Sequence, residues 1–405
     1  MNSQRGNIGL KAALFILNPF LSAINSFKNI RDGVSHRFLY LWFLIFGIAF
    51  CAVFEPEDSY RYVLIFNEEH SYMWEDYVYK LQQYWSFESN IKDIYTLSVN
   101  FFVGRFSDNY HWVFFIYAIV FGFFYIKSLR IFMRCEQTRS NIMFYLLLFL
   151  FCYSNPIFNI NGVRFWTASW IAVYATLKIV VDRRYIYILL LAITPLVHGT
   201  FPIWIVALFV ALLTSRFHKI WQVLFVVASF VTAVSFLDLL NDYSDKLPQF
   251  MQNQIWSYTQ SELAQQKMSG VLTEKLPLYA QIFNALPGYF ILVLSYIIVF
   301  NRKIFVQDEF SKRLYQAVLV LSTITNFLSA IPSVYRFKQL VIPLIVILWA
   351  INHEHLRKYD KLFYLIPIVY SYSLLYWFRK MSYMTEIYLY ILPAPAIIIE
   401  YLFGQ

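Results

Sequence analysis

Four short polar stretches hold the residues able to do chemistry. They are Asp58-Ser59-Tyr60-Arg61, the run from Asn155 to Arg164, His198-Gly199-Thr200, and Ser333-Val334-Tyr335-Arg336. Arg61, Arg164 and Arg336 supply three guanidiniums. Each is a planar fork that can hold two anionic oxygens and stays charged at any relevant pH. Such a set suits a diphosphate. His198 titrates near neutrality and could take a proton from an attacking hydroxyl. Asp58 is the other candidate base, or else orients Arg61. Asn161 and Tyr335 are candidate substrate contacts beside them. Each residue also has a plainer role open to it: Arg61 in a surface ion pair, Arg164 and Arg336 snorkelling to headgroups, His198 as an interfacial histidine.

Several chemistries lack their residues. There is no Gly-rich phosphate loop, no His-Glu-x-x-His helix and no Gly-x-Ser-x-Gly elbow. Cys51, Cys135 and Cys152 build neither a disulfide framework nor a metal motif. Glu55-Pro56-Glu57-Asp58 resembles an acidic metal site, but no second ligand cluster accompanies it, so no metal is expected. No cofactor is implied.

The elements that must position these residues are membrane spans. Of 405 residues, 59% are hydrophobic and only 14% charged, with a mean hydropathy of +0.52. Soluble domains are nearer a quarter charged. Repeated apolar runs of bilayer length make this an all-α, polytopic membrane bundle of about 12–13 spans, one transmembrane domain over 1–405. The candidate spans lie near 8–27, 38–54, 112–130, 141–157, 163–180, 185–198, 200–214, 219–237, 279–300, 312–331, 335–351, 361–377 and 386–402. The pair 185–198 and 200–214 is short, and could be re-entrant about His198-Gly199. The first run ends in Leu21-Ser22-Ala23, which could pass for a signal cleavage site; Asn18-Pro19 interrupts it, and it reads better as a retained span.

The net charge of +9 is a matter of orientation, not of nucleic acid. Lys and Arg gather in short loops after alternate spans, which makes those loops cytoplasmic. The N-terminus is then expected outside and the C-terminus inside, with Arg379-Lys380 the one misfit. Two long segments face outward. Segment 55–111 holds ten acidic residues against four basic. Within it Met73, Trp74, Tyr77, Val78, Leu81, Tyr84 and Trp85 recur at helical spacing, an amphipathic helix lying on the outer leaflet or lidding the bundle. Ile91 to Phe102 suggests a second. Segment 238–278 is polar and reads as a cover or binding loop.

Taken in order, Asn18-Pro19-Phe20, Asp58-Ser59-Tyr60-Arg61-Tyr62, Asn161-Gly162-Val163-Arg164-Phe165, His198-x-Thr200 and Tyr335-Arg336-Phe337 resemble the EpsG family, grouped with Wzy-type polymerases of bacterial surface polysaccharides. The likeness covers most of the chain; Thr200 stands where the family has Ser, which keeps the hydroxyl. The resemblance implies a GT-C-like glycosyltransferase of the bacterial inner membrane. Such an enzyme moves a glycan from undecaprenyl diphosphate onto a second lipid-linked repeat unit at the periplasmic or outer side. The product would be an O-antigen, capsule or exopolysaccharide. Its partners would be lipid-linked glycans, membrane lipid and a chain-length regulator protein, without nucleic acid. Arg164 and Arg336 would hold the diphosphate, helped by Arg61. The alternatives are a flippase or transporter, an O-antigen-ligase-like transferase, and a membrane acyltransferase using His198. A transporter needs ionisable groups at depth, and the spans offer no convincing one.

Overall fold

In the computed structural model the chain is 82% helical and has no strand among the described residues. These are residues 2–52, 55, 57–86, 93–138, 140–230, 252, 276–330 and 336–404. The 238–278 segment lies almost wholly outside them, and so does Tyr335. The helices, in chain order, are α1 (Asn2–Leu17), α2 (Pro19–Lys28), α3 (Gly33–Ile48), α4 (Asp58–Glu69), α5 (Trp74–Ser86), α6 (Tyr95–Val103), α7 (Tyr110–Cys135), α8 (Asn141–Tyr153) and α9 (Val163–Val180). There follow α10 (Tyr187–Val197), α11 (Pro202–Leu213), α12 (His218–Phe230), α13 (Leu278–Phe300), α14 (Glu309–Phe327), α15 (Phe337–Ile351), α16 (Ser371–Met384) and α17 (Ala394–Phe403). Very short helical turns join some of them.

Among the described residues three helical stretches are long and apolar enough to cross a bilayer: Tyr110–Cys135, Asn141–Val180 and Leu278–Phe300. Phe337–Ile351 with His353–Phe363, bent by 91°, makes a fourth if counted as one. The rest of the apolar helices are shorter. The 40-residue stretch doubles back within itself, because the rings of Phe151 and Trp170 lie 5.7 Å apart. The reversal is a 3₁₀ turn, Ile157–Gly162, whose asparagines satisfy the exposed backbone. Asn155 Nδ2 donates to Trp166 O at 2.9 Å, and Trp170 Nε1 donates back to Asn155 O at 2.9 Å. Buried backbone needs such partners wherever a helix stops.

One face of the bundle is basic. There Arg134 and Lys178 both reach Asp182 at 2.5 Å, Arg31 meets Asn141 at 3.3 Å, and Arg313 Nε donates to Val180 O at 3.0 Å. α7, α8 and α9 run between this face and its opposite, which carries the acidic helix α4.

Two expected spans are corrected. Segment 8–27 is not one crossing. Asn18 caps α2 by accepting from Leu21 N at 2.8 Å, Pro19 opens that helix, and α1 folds back along α2. The fold-back puts the buried Lys11 ammonium 2.7 Å from Asp32 and 2.6 Å from Ser35 Oγ, at the basic face. At the other end, Asn18 Nδ2 donates to Tyr390 O at 2.9 Å, and Tyr401 sits with Asn109 and Glu386 at the face opposite the basic one. Segment 386–402 therefore also turns within the bundle. Arg379-Lys380 stays outside the loop-charge pattern: Lys380 lies on the acidic face, where it pairs with Glu57.

The core is a continuous aromatic and aliphatic cluster, densest where α3 crosses α7. Gly47 allows that crossing. A methyl there would lie inside contact distance of Ala118 Cβ and 2.7 Å from Phe114 O. Gly47→Ala should therefore cost about 1–3 kcal/mol through overpacking, read as a lower melting temperature of the purified protein in detergent. Gly33→Ala, whose methyl meets nothing within 4 Å, should melt like the parent.

Candidate functional site

The face opposite the basic loops gathers the start of α4, the 3₁₀ turn before α9, the α10–α11 junction and the start of α15. Its centre is the buried ring of Phe165, the third residue of α9. The His198 ring stands edge-on to it at 5.3 Å, Phe337 packs at 5.2 Å, and the Arg336 guanidinium carbon lies 5.8 Å from its centroid. His198 and Arg336 thus meet one side chain, although 138 positions separate them in the chain.

Beside this ring opens a cavity of about 670 Å³. Its walls come from α8, the 3₁₀ turn, α9, α13, α15, α16 and the start of α4. Arg336, Lys338 and Lys380 supply positive charge to it, Glu57 and Asp58 negative charge. Asn159, Asn161, Asn284 and Gln339 add amides, and Tyr153, Trp166, Tyr376 and Trp377 add flat aromatic wall. Mixed amides and aromatic faces are what sugar rings need: hydrogen-bond partners around the rim and stacking surface for the C–H faces.

A chain of contacts closes one side of the cavity. Lys380 Nζ lies 2.8 Å from Glu57 Oε1 and 2.9 Å from Oε2. Asn161 Nδ2 donates to Glu57 Oε2 at 2.6 Å, and Asn161 Oδ1 accepts from Ser59 N at 3.1 Å. Asn161 is therefore spent on holding α4 against the turn while one face of it borders the cavity. Gly162 keeps space beside Asp58: a methyl there would stand 3.2 Å from Trp166 Cδ1 and 3.8 Å from Asp58 Oδ2.

The expected residues divide into two groups. Asp58, Asn161 and Arg336 line the cavity. Arg164, expected next to Arg336 on a diphosphate, does not; it points away to Asp93 Oδ2 at 2.8 Å and Tyr62 OH at 3.2 Å. Asp93 is almost fully buried and also accepts from Thr96 N and Oγ1, which ties the start of α6 to α9. Arg61 is exposed on α4, outside the cavity wall. His198 is half-buried, with Nδ1 2.9 Å from Thr200 Oγ1, the hydroxyl of its own motif. The sequence marked Glu57 only as part of an acidic run and Lys380 only as a charge misfit, and Lys338 went unremarked. Lys380 had a signal, since it broke the loop-charge pattern; Lys338 had only its place two residues after Arg336.

Around Arg164 lies a second polar patch. Glu69, at the end of α4, accepts from Asn100 Nδ2 at 2.8 Å. Burial raises its pKa, and the Asn100 hydrogen bond offsets only part of that rise. α5 and α6 cover the patch through the stacked rings of Tyr77 and Phe101, 4.3 Å apart, leaving Trp74, Tyr79 and Trp85 exposed. Among the described residues no group of three or more His, Cys, Asp or Glu could hold a metal ion.

Fold and site define a class: an all-helical polytopic membrane protein with a charged, aromatic-lined cavity at the face opposite its basic loops. The EpsG family matches residues 36–392, and the chain belongs to that family. Membership gives it a polymerase-type role in polysaccharide biosynthesis. No curated protein and no solved structure matches the chain.

Two outcomes follow from the second patch. Asp93→Ala leaves Arg164 without its carboxylate. Breaking a buried pair costs about 3–5 kcal/mol, and less here because the Arg164 side chain is 29% exposed; thermal unfolding should show the loss. Glu69 acts in the other direction. Because folding raises its pKa, its contribution to stability is lost as pH climbs from the ordinary carboxylate range through the raised value. Glu69→Gln should remove that slope and melt higher than the parent at neutral pH.

Proposed function

We propose that the chain polymerises lipid-diphosphate-linked oligosaccharide repeat units, with undecaprenyl diphosphate as carrier, at the outer face of a bacterial inner membrane. The observation that carries this reading is the cavity's make-up. Two cations, Arg336 and Lys338, have no carboxylate partner among the described residues, one carboxylate, Asp58, borders the same space, and aromatic and amide walls surround them. The donor brings its own leaving group, so no nucleotide site is needed. The basic loops face the cytoplasm by the positive-inside rule, which turns the cavity outward, where lipid-linked repeat units would meet it.

In this reading the acceptor hydroxyl oxygen attacks the donor anomeric carbon and the bond from that carbon to the diphosphate oxygen breaks. The acceptor's proton passes to Asp58, which borders the cavity; His198, the other candidate base, packs against Phe165 outside the lining and would have to turn toward the acceptor to take it. The carrier diphosphate departs with both bonding electrons. Its growing charge is met by Arg336 and Lys338, and stabilisation that grows toward the transition state raises the rate as well as the affinity. Arg164 acts at one remove: its pair with Asp93 fixes the start of α9, and so Phe165, against which Arg336 rests. The lysine and glutamate of the Lys380–Glu57 pair hold the wall on which a glycan would stack.

Purified protein given defined lipid-diphosphate repeat units should yield a ladder of products; a single addition would argue for ligation instead. Arg336→Lys keeps the charge but loses the fork, and should cut turnover by roughly 10²-fold, as removal of one such donor does. Asp58→Asn and His198→Ala should separate the candidate bases, the true one losing roughly 10²–10⁴-fold. Normal ladders from Arg336→Lys and Arg164→Lys alike, in protein that inserts and folds, would sink the assignment.

A further inference from the structure

The cavity does not end at Lys338. Beyond it, between α12, α13, α14 and α15, lies a second space of about 260 Å³. The two share Gly288, Ile291 and Lys338 as wall. Their linings differ in kind. The second is built from Ala228, Ala285, Leu292, Val341 and Ile345 together with hydroxyl residues. Most of those hydroxyls are already spent on their own helices. Ser229 donates to Phe225 O, Ser295 to Ile291 O, both at 2.8 Å, and Ser329 to Asn326 O at 2.7 Å. A hydroxyl bonded back along its helix shows the chamber its carbon atoms. Ser322, whose Oγ is buried without a partner, is the exception.

Lys338 stands at the neck. Among the described residues its Nζ has no hydrogen bond and no ion pair. A lysine is suited to such a place, with its methylene stem against apolar wall and its ammonium toward the polar side. The neck is also open. Pro287 interrupts the hydrogen bonding of α13 just before Gly288, and a methyl built on Gly288 would meet nothing within 4 Å. An unpaired cation thus has a charged, sugar-suited space on one side and an apolar chamber on the other. That is the junction of a lipid phosphate, where head group meets hydrocarbon.

We propose that the second chamber holds the first isoprene units of the lipid carrier, with Lys338 on the phosphate nearest the chain. The carrier, not a bulk phospholipid, is the occupant, because the chamber abuts the glycan cavity and shares its cation. The assignment rests on the donor proposed above. It gives the enzyme a measure of chain identity: the apolar chamber reads the tail, the larger cavity the sugars.

The test uses the full-length protein in lipid nanodiscs and one glycan diphosphate carried on either a long polyprenyl chain or a single short alkyl chain. Gly288→Phe places a ring in the neck. It should raise KM for the long-chain donor by roughly tenfold or more, the worth of a few buried apolar groups, and raise it far less for the short-chain donor, which feels only the part of the ring that borders the glycan cavity. Val223→Phe, on the exposed face of α12 outside both cavities, should leave both unchanged. Lys338→Met should weaken both donors, since both carry the phosphate. An equal loss with both donors in Gly288→Phe, or no loss with either, overturns the chamber while leaving the polymerase reading intact. No turnover of either donor by the parent overturns the donor reading, and the chamber with it. If Gly288→Phe does not fold, the parent protein decides: a photoreactive polyprenyl diphosphate should label the peptides holding Leu292 and Asn326, and unlabelled polyprenyl diphosphate should compete. Competition by phosphatidylglycerol instead, or labelling elsewhere, overturns the proposal.

Discussion

The contacts running from Lys380 through Glu57 and Asn161 to the Ser59 backbone are the constraint on which the site depends. They join a helix near the end of the chain, an acidic loop near its start and the turn between two central helices. Hydrocarbon offers these groups no partners, so once brought together at a helix-bundle end they must satisfy one another. The amide of Asn161 is the middle link because it alone can donate to a carboxylate and accept from a backbone N–H at once. Without it Glu57 would keep Lys380, but α4 would lose its hold on the turn, and the cavity would lose the wall that carries Asp58.

A second, separate ion pair sets α9. Arg164 and Asp93 form no part of the cavity lining, yet they fix the helix start from which Phe165 projects. Phe165 then separates and locates Arg336 and His198. Keeping the two pairs apart has a physical use. A guanidinium already bound to a buried carboxylate would have to surrender that partner to grip a phosphate, whereas Arg336 rests on an aromatic face and can rotate toward an anion at little cost. The residue spacing that makes Arg164 and Arg336 look equivalent in the sequence conceals this difference, which only the position of Asp93 reveals.

Fold class and the location of the site were legible because both follow from where hydrocarbon tolerates polarity. Apolar runs gave α7, α8, α9 and α13, and the polar knots marked their ends at one face. The end segments were not legible in the same way. A run of twenty apolar residues reads as one crossing, and only the capping geometry of Asn18-Pro19 shows it as two helices that double back. Lys338 and Lys380 were missed since a lysine near a span end is ordinarily a marker of topology. Asp93 was missed because one carboxylate among ten in an acidic segment has no distinguishing neighbour in sequence; its partner lies 71 positions away.

The distribution of charge in the cavity argues for a particular ligand geometry. Lys380 and Glu57 neutralise each other and contribute a polar but balanced wall. What is left facing the space is Arg336 and Lys338, close together in the chain at the start of α15, and Asp58 on α4. Two cations on one helix start complement a compact dianion, and the N-terminal end of α15 adds its own partial positive charge. The Asp58 carboxylate would repel that dianion, so in the proposed reaction it suits a group that can give up a proton. Under the proposed reaction the cations would meet the leaving group and the carboxylate the acceptor, the division of labour that a transfer between two lipid-linked substrates needs.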